Sequence, residues 1–396
     1  MPAIALVLFF GQQDFLKVML IGKIDMLILI ALFICWMIQG LYYGFYLAKP
    51  LYYQRAVEKG KIMLHPATPR VSLIIYARNE AQNLEKYLPA ILEQDYPQYE
   101  VILVDDRSSD DTESILQRTS LRYKHFYSTY IPQDVKNISG KKLALTLGIK
   151  AAHYDNLLFL EADTHPAGPD WLRLMARHFI GKTSIVLGFS TLEQPPFRYA
   201  GYDYFFSNLQ MMVLALMHRT YMGNGKNLGY SKSEFARQRT FSDYGFTDAG
   251  DDDLLIGELA GPDNVAVELA PDSITRVNMD EAWFWKELKI KRMTTWSSYR
   301  KFSIVFWSIE KTSRILFYGL FLLALVRFFP QWRITGTIAG LFFSRFLCQW
   351  LVINQTAKVL KLPKFHWDLL FFDFVQPFVN GYFYLYGIFR SKRKGF

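Results

Sequence analysis

Val71-Ser-Leu-Ile-Ile-Tyr76 runs into Ala77-Arg78-Asn79-Glu80, a helical stretch through Glu93, and a second apolar run, Val101-Ile-Leu-Val104, that ends at Asp105-Asp106. Short apolar runs bounded by polar turns and separated by a segment of helical period read as strand, helix and strand, which is a βαβ unit. Parallel strands present their carboxyl ends at one edge, where open α/β sheets bind their ligands. That edge would gather Asp105 and Asp106 beside Arg78 and Glu80. The chain holds no glycine-rich phosphate loop of the dinucleotide or P-loop kind, which counts against dinucleotide redox and ATPase chemistry.

A third apolar run, Asn156-Leu-Leu-Phe-Leu-Glu161-Ala162-Asp163, ends in two carboxylates spaced i, i+2. Residues at that spacing project to one side of a strand, so both can reach one hard divalent cation and its phosphate ligand. A solvated turn is the plain alternative for such a triplet, and its surroundings favour the metal clamp. The α/β pattern occupies residues 66–282. After it, residues 283–312 open with aromatics mixed among cations (Trp283, Trp285, Arg292, Trp296, Tyr299), in the manner of an amphipathic helix lying on a membrane.

The rest of the chain is apolar. Of 396 residues, 51% are hydrophobic and 17% aromatic, too many for a purely soluble protein, while the charged residues suffice for a solvated domain. In the N-terminal region 1–65, residues 24–47 are long enough to cross a hydrocarbon core of about 30 Å, too long for a signal-peptide core and without a cleavage site. Lys49, Arg55, Lys59 and Lys61 follow and put that end in the cytoplasm. In the C-terminal region 313–396, spans are expected at 314–329 and 334–357, with Arg327, Arg333 and Arg345 snorkelling, paired or facing protein. Residues 367–389 carry Asp368, Asp373, Gln376, Pro377 and Asn380, and a crossing would strand Arg390, Lys392, Arg393 and Lys394 outside, so a re-entrant or interfacial segment is expected. The net charge of +9 concentrates around these segments and points to anionic lipid headgroups, not nucleic acid. Cys35 and Cys348 lie in apolar helices and support neither a disulfide framework nor a zinc cluster.

Six motifs in order resemble family 2 glycosyltransferases over about residues 69–300: the two βαβ motifs, Gly140-Lys141-Lys142-Leu-Ala144-Leu145, Glu161-Ala-Asp163-Thr, Gly225-Lys-Asn227-Leu-Gly-Tyr230 and Gly250-Asp251-Asp252-Asp253-Leu254-Leu255. The flanking helices are similar to those of the membrane-integrated branch that includes cellulose, chitin and hyaluronan synthases. The resemblance implies an α/β GT-A fold, a Rossmann-like nucleotide-sugar domain on the cytoplasmic side of a bacterial inner membrane, and inversion at the anomeric carbon. It also implies Mg²⁺ or Mn²⁺ on the donor diphosphate. By position it implies that Ala77, Arg78 and Glu80 line the nucleoside pocket, that Asp106, or Asp105, accepts from the base, and that Lys141 approaches the nucleotide. Capping of the next helix is the alternative for one of the two aspartates.

Asp163 would be the direct metal ligand. Glu161 stands where the family usually has Asp and would touch the ribose, donor sugar or metal-bound water. Asp252 would be the base that takes the acceptor proton, helped by repulsion from Asp251 and Asp253. Asn227 would contact the acceptor. Processive members carry Gln-x-x-Arg-Trp near residue 290; here the nearest registers keep only Arg292, for the diphosphate, or only Trp296, beneath the acceptor sugar, which leaves single addition open. The expected partners are a nucleotide-sugar donor, more specifically a UDP-sugar, a glycan or lipid-linked acceptor, membrane lipids, and a second copy or an accessory export subunit. An inactive scaffold and a nucleotidyltransferase are the readings from other classes.

Overall fold

The computed structural model describes residues 22–132, 140–237 and 252–393. They divide into two compact units, one running to Tyr46 and resuming at Trp307–Val352, the other comprising Leu47–Phe306 and Ile353–Phe396. The chain opens with α1 (Lys23–Leu41), whose π-helical continuation Tyr42–Leu47 leads to α2 (Lys49–Glu58). Then come β1 (Val71–Ala77), α3 (Ala81–Leu92), β2 (Tyr99–Asp105), α4 (Thr112–Arg122), β3 (Phe126–Tyr130), α5 (Gly140–Ala151), β4 (Asn156–Glu161), β5 (Thr164–Pro166) and α6 (Trp171–Ala176). Next are β6 (Ile185–Gly188), β7 (Ser190–Leu192), α7 (Arg198–Ala215), β8 (Leu228–Ser231), α8 (Lys232–Arg237), α9 (Asp253–Leu259), β9 (Val265–Glu268) and β10 (Thr275–Val277). Four helices close the chain: α10 (Ala282–Thr295), α11 (Lys301–Phe328), α12 (Trp332–Val359) and α13 (Asp368–Arg393).

In the larger unit, β3-β2-β1-β4-β8-β6-β9 form one sheet and β5-β10-β7 a second. β3, β2, β1 and β4 are parallel neighbours, and β8 pairs antiparallel to both β4 and β6. The central strands are near-continuous apolar runs because both faces are covered. Leu73, Ile75, Leu103, Leu158 and Leu160 form one core with Leu84, Leu88 and Ile91 of α3 and Trp171, Leu172 and Met175 of α6. Register sets the site: Ala77 lies opposite Asp105, and Tyr76 opposite Glu161, so three strands end level and deliver their following residues to one edge.

Helix α13 belongs to this unit. The segment expected to be re-entrant or interfacial is one uninterrupted helix of 26 residues that includes Pro377. It lies along α10, with Phe383 edge-on to Trp285 at 5.4 Å and Arg390 Nη1 donating to both Glu287 oxygens at 2.7 and 2.9 Å. Phe371, Phe374, Phe378, Tyr382, Leu385 and Phe389 form an exposed stripe at helical spacing on it.

The smaller unit is helical, with Leu32, Cys35, Phe317, Phe328 and Ile338 in its core. Its charges are partnered, as burial in an apolar setting requires. Arg327 donates to both oxygens of Asp25 at 2.7 and 2.9 Å, and Arg345 donates to Gln39 Oε1 at 2.8 Å while its guanidinium lies over the Tyr43, Phe317 and Tyr318 rings. Among the described residues two helices are long and apolar enough to cross a membrane, Lys23–Glu58 and Trp332–Val359. All but the last residue of the expected span 314–329 lies in α11, and that helix, which carries Glu310, Lys311, Arg314 and Arg327, is not one of them.

One expected acceptor contact is corrected here. Asn227, just before β8, is fully buried: its Oδ1 accepts from Trp171 Nε1 at 3.0 Å, and its Nδ2 donates to the carbonyls of Phe189 and Ser273 at 2.8 and 2.9 Å. It ties α6, the link between β6 and β7, and the segment before β10 together. Asn227→Ala takes the printed partner from the buried Trp171 N–H and the Ser273 carbonyl and one of two donors from the Phe189 carbonyl, and is expected to cost about 2–4 kcal/mol, read as a lower thermal midpoint of the detergent-solubilised chain.

Candidate active site

The turns that leave β1 and β2 are held in the left-handed backbone region at Asn79 (φ 53°) and Arg107 (φ 55°), a conformation uncommon for residues other than glycine and costly unless the surroundings fix it. Cross-bonds fix it: Asn79 N donates to Ser108 Oγ at 2.8 Å, Ser109 N to Asn79 Oδ1 at 2.8 Å, and Asp106 N to the Ala77 carbonyl at 2.8 Å. This arrangement separates the two aspartates. Asp105 closes its own turn by accepting from the backbone N–H and hydroxyl of Ser108, and burial pushes its carboxyl up. Asp106 faces the cleft, accepting from Arg107 Nε at 2.7 Å and Tyr76 OH at 3.1 Å, with Arg78 Nη1 3.7 Å away.

The cleft has a volume of about 460 Å³. At its base two carboxylates of the sheet edge meet two lysines. Lys141, in the first turn of α5, donates to Glu161 Oε1 at 2.8 Å and to Asp252 Oδ2 at 2.6 Å. Lys226, ahead of β8, donates to Glu161 Oε2 at 2.7 Å and to the two Asp163 oxygens at 2.7 and 2.5 Å. Burial alone would raise the Glu161 carboxyl, but Lys141 and Lys226 together hold it well below the usual carboxylate range. Burial likewise opposes the charge on Lys226, yet Asp163 and Glu161 hold its ammonium above its ordinary value. A lysine in the first turn of a helix opposes the helix dipole; here two carboxylates compensate Lys141.

Two glycines allow this approach. A side chain at Gly140 would collide with the Asp106 carboxylate, and one at Gly225 with that of Asp252.

Of the residues expected from sequence, Arg78, Glu80, Asp106, Lys141, Glu161, Asp163, Asp252 and Arg292 line the cleft, and the Arg292 guanidinium lies 5.0 Å from the Tyr204 ring centroid. Ala77 is buried within β1 and offers its carbonyl to Asp106 N. Asp251 lies outside the described residues. Trp296 sits in a short 3-10 turn after α10, edge-on to Tyr299 at 6.0 Å, and is not among the residues that line the cleft. Among the described residues the aromatics lining the cleft are instead Tyr76, Trp283 and Phe284. Of the acids expected to crowd Asp252, Asp251 lies outside the described residues and Asp253 is engaged elsewhere. The near partner of Asp252 is the Lys141 ammonium, and Asp253 accepts from Tyr299 OH at 2.7 Å and Thr295 Oγ1 at 2.8 Å. Sequence inspection missed Lys226, although it stands inside the Gly225-Lys-Asn227 motif. A cation enclosed in a motif of small and amide residues is the signal that could have found it.

Glu161 and Asp163 were expected to hold Mg²⁺ or Mn²⁺. Their oxygens do converge on one cation, but that cation is Lys226 Nζ, and among the described residues no group of three His, Cys, Asp or Glu is arranged to hold a metal ion. The donor set as arranged fits an ammonium and does not fit a resident divalent ion.

Glu80 gives the cleft a pH response. Burial, partly offset by Asn83 Nδ2 donating to its Oε2 at 2.6 Å, pushes its carboxyl from 4.5 up to about 7. The folded state therefore favours the protonated form; this contribution is intact below the ordinary value and is lost as pH rises through about 7. The thermal midpoint of the wild-type chain should fall relative to Glu80→Gln between about pH 5 and about pH 8, and parallel midpoints across that range would contradict this account.

Residues 72–237 match the family described as Glycosyl transferase family 2. Among curated proteins, the chain is similar to the poly-beta-1,6-N-acetyl-D-glucosamine synthase of Staphylococcus epidermidis, at 30% identity over 131 residues, 33% of this chain and 30% of that one. It is also similar to glycosyltransferase AglE of Haloferax volcanii, at 36% identity over 100 residues, 25% of this chain and 32% of that one. The matched part thus spans about a third of each relative's length. Among solved structures, a Pyrobaculum calidifontis mannosyltransferase in complex with GDP-Man and Mn²⁺ aligns with a TM-score of 0.49 at 18% identity, covering 83% of this chain and 99% of that one. S. aureus TarS 1–349 in complex with UDP-GlcNAc aligns with a TM-score of 0.39 at 14% identity, covering 74% and 88%. The sheet edge that gathers Asp106, Glu161 and Asp163 thus lies within the segment that matches Glycosyl transferase family 2.

Proposed function

We propose that this chain is a membrane-bound inverting glycosyltransferase that moves a sugar from a nucleotide-sugar donor to a glycan end or a lipid-linked acceptor. The observation that carries the reading is the convergence of Lys141, Glu161, Asp163, Lys226 and Asp252 in one cleft at the carboxyl edge of the family 2 domain's parallel strands. Such an edge suits a nucleotide, and two lysines beside it suit a diphosphate.

In this reading the base lies against Asp106 and Arg78, and the diphosphate lies toward Lys141, with Arg292 across the cleft. An acceptor hydroxyl attacks the anomeric carbon from the side opposite the diphosphate. Asp252 Oδ accepts the hydroxyl proton as the new C–O bond forms, and the nucleoside diphosphate departs with the electrons of the broken bond. Lys141 bridges Asp252 and Glu161, so it fixes the base and faces the charge that develops on the leaving group. Trp283 and Phe284 offer apolar faces to the acceptor sugar. The likeness to poly-beta-1,6-N-acetyl-D-glucosamine synthases favours UDP-N-acetylglucosamine as the first donor to try. Asp163 and Glu161 would hold Mg²⁺ or Mn²⁺ only after Lys226 withdraws, and no step above depends on the ion.

The two long apolar helices and the basic run Lys49, Arg55, Lys59 and Lys61 support a bilayer location with the transferase domain on the cytoplasmic side, in a bacterium the inner membrane. The exposed stripe on α13 suits the headgroup boundary. A polysaccharide product would need a path outward, which a second copy or an accessory subunit could complete.

The test is nucleoside diphosphate release by the detergent-purified chain from UDP-, GDP- and dTDP-sugars. Turnover of one donor is expected, with Asp252→Asn lowering kcat by about 10²–10⁴. Gly225→Ala, which displaces Asp252, should lower it at least about tenfold with the fold retained. Neither binding nor turnover of any donor would favour an inactive scaffold, and pyrophosphate release would favour a nucleotidyltransferase.

A further inference from the structure

Lys226 is 6% exposed, and its ammonium contacts three of the four carboxylate oxygens of Glu161 and Asp163. Its backbone is anchored as firmly as its side chain. The Lys226 carbonyl accepts from Thr275 Oγ1 at 2.7 Å, its N–H donates to Asn224 Oδ1 at 3.3 Å, and Asn227 beside it is pinned by three buried hydrogen bonds. Asn224 is itself held, donating to Ser190 Oγ at 2.8 Å and Asn208 Oδ1 at 3.0 Å. The chain therefore presents the ammonium to the two carboxylates from a fixed point.

We propose that Lys226 is a tethered cation standing where a divalent ion would bind between Glu161 and Asp163, so that Lys226 and Mg²⁺ or Mn²⁺ occupy the clamp in mutual exclusion. The oxygens that would ligate the ion already surround Nζ, and an ammonium and a divalent cation cannot share one pair of carboxylates at contact distance without strong repulsion. Metal entry requires the lysine side chain to leave, and in leaving it gives up three charge-assisted hydrogen bonds. The donor-free protein is thus a poor metal binder despite its acid-x-acid motif.

The test uses the full chain in detergent with Mn²⁺ alone, bound metal being read from loss of the free-ion signal in electron paramagnetic resonance. Lys226→Met should bind Mn²⁺ at least about tenfold more tightly than wild type, because the competing cation is gone and the acids remain. Lys226→Arg should stay near wild type, and adding Asp163→Asn to Lys226→Met should abolish the gain. Equal affinity in wild type and Lys226→Met, or a gain that survives Asp163→Asn, overturns the proposal. If unpaired carboxylates prevent Lys226→Met from folding, Glu161→Gln/Lys226→Met compared with Glu161→Gln carries the same comparison with the charge balanced. No donor or acceptor enters the assay, so its failure leaves the sugar-transfer reading standing, and failure of that reading leaves this one standing.

Discussion

Glu161 and Asp163 leave the sheet two residues apart, and two carboxylates that close together in a half-buried cleft are tolerable only if cations meet them. Much of the larger unit serves that requirement. The parallel register brings β4 level with β1 and β2. Helix α5 starts with Gly140 against Asp106, so its second residue, Lys141, reaches the acids. The segment before β8 is pinned by Asn224 and Asn227, and between them stands Lys226. The lysines and acids are individually costly and jointly neutralising, which makes the cleft one electrostatic object instead of five separate side chains.

The sequence made the central strands legible because both of their faces are covered, so burial appears as near-continuous apolar runs at 71–76, 101–104 and 157–160. Acids just past those runs were legible for the same reason, since register alone brings strand ends together. The remainder was hidden because it depends on tertiary partners. β6, β7 and β10 have three or four residues each and exist through pairing with distant strands. Nothing local says that the amide of Asn227 faces Trp171 instead of a sugar, or that Asp253 turns toward Tyr299 while Asp252 turns toward Lys141. Asp105 and Asp106 were indistinguishable as letters, and the hydroxyl of Ser108 separates them.

Apolar composition was an equally partial guide. Residues 367–389 are rich in aromatics, yet they fold within the larger unit because one face of α13 meets α10 through Phe383 and Arg390. The opposite stripe from Phe371 to Phe389 is what hydropathy registers. Within the smaller unit, the three arginines that looked expensive have partners: Asp25 for Arg327, the Trp332 ring for Arg333, and Gln39 with three aromatic rings for Arg345.

The bonds from Thr295 and Tyr299 to Asp253 have a mechanical meaning. They clamp the first residue of α9 to the end of α10, and Asp252 is the preceding residue. Helix α10 is in turn braced by α13. A tilt or slide of that helix pair is therefore transmitted to the Asp252 carboxylate through a single peptide unit, and from there across Lys141 to Glu161.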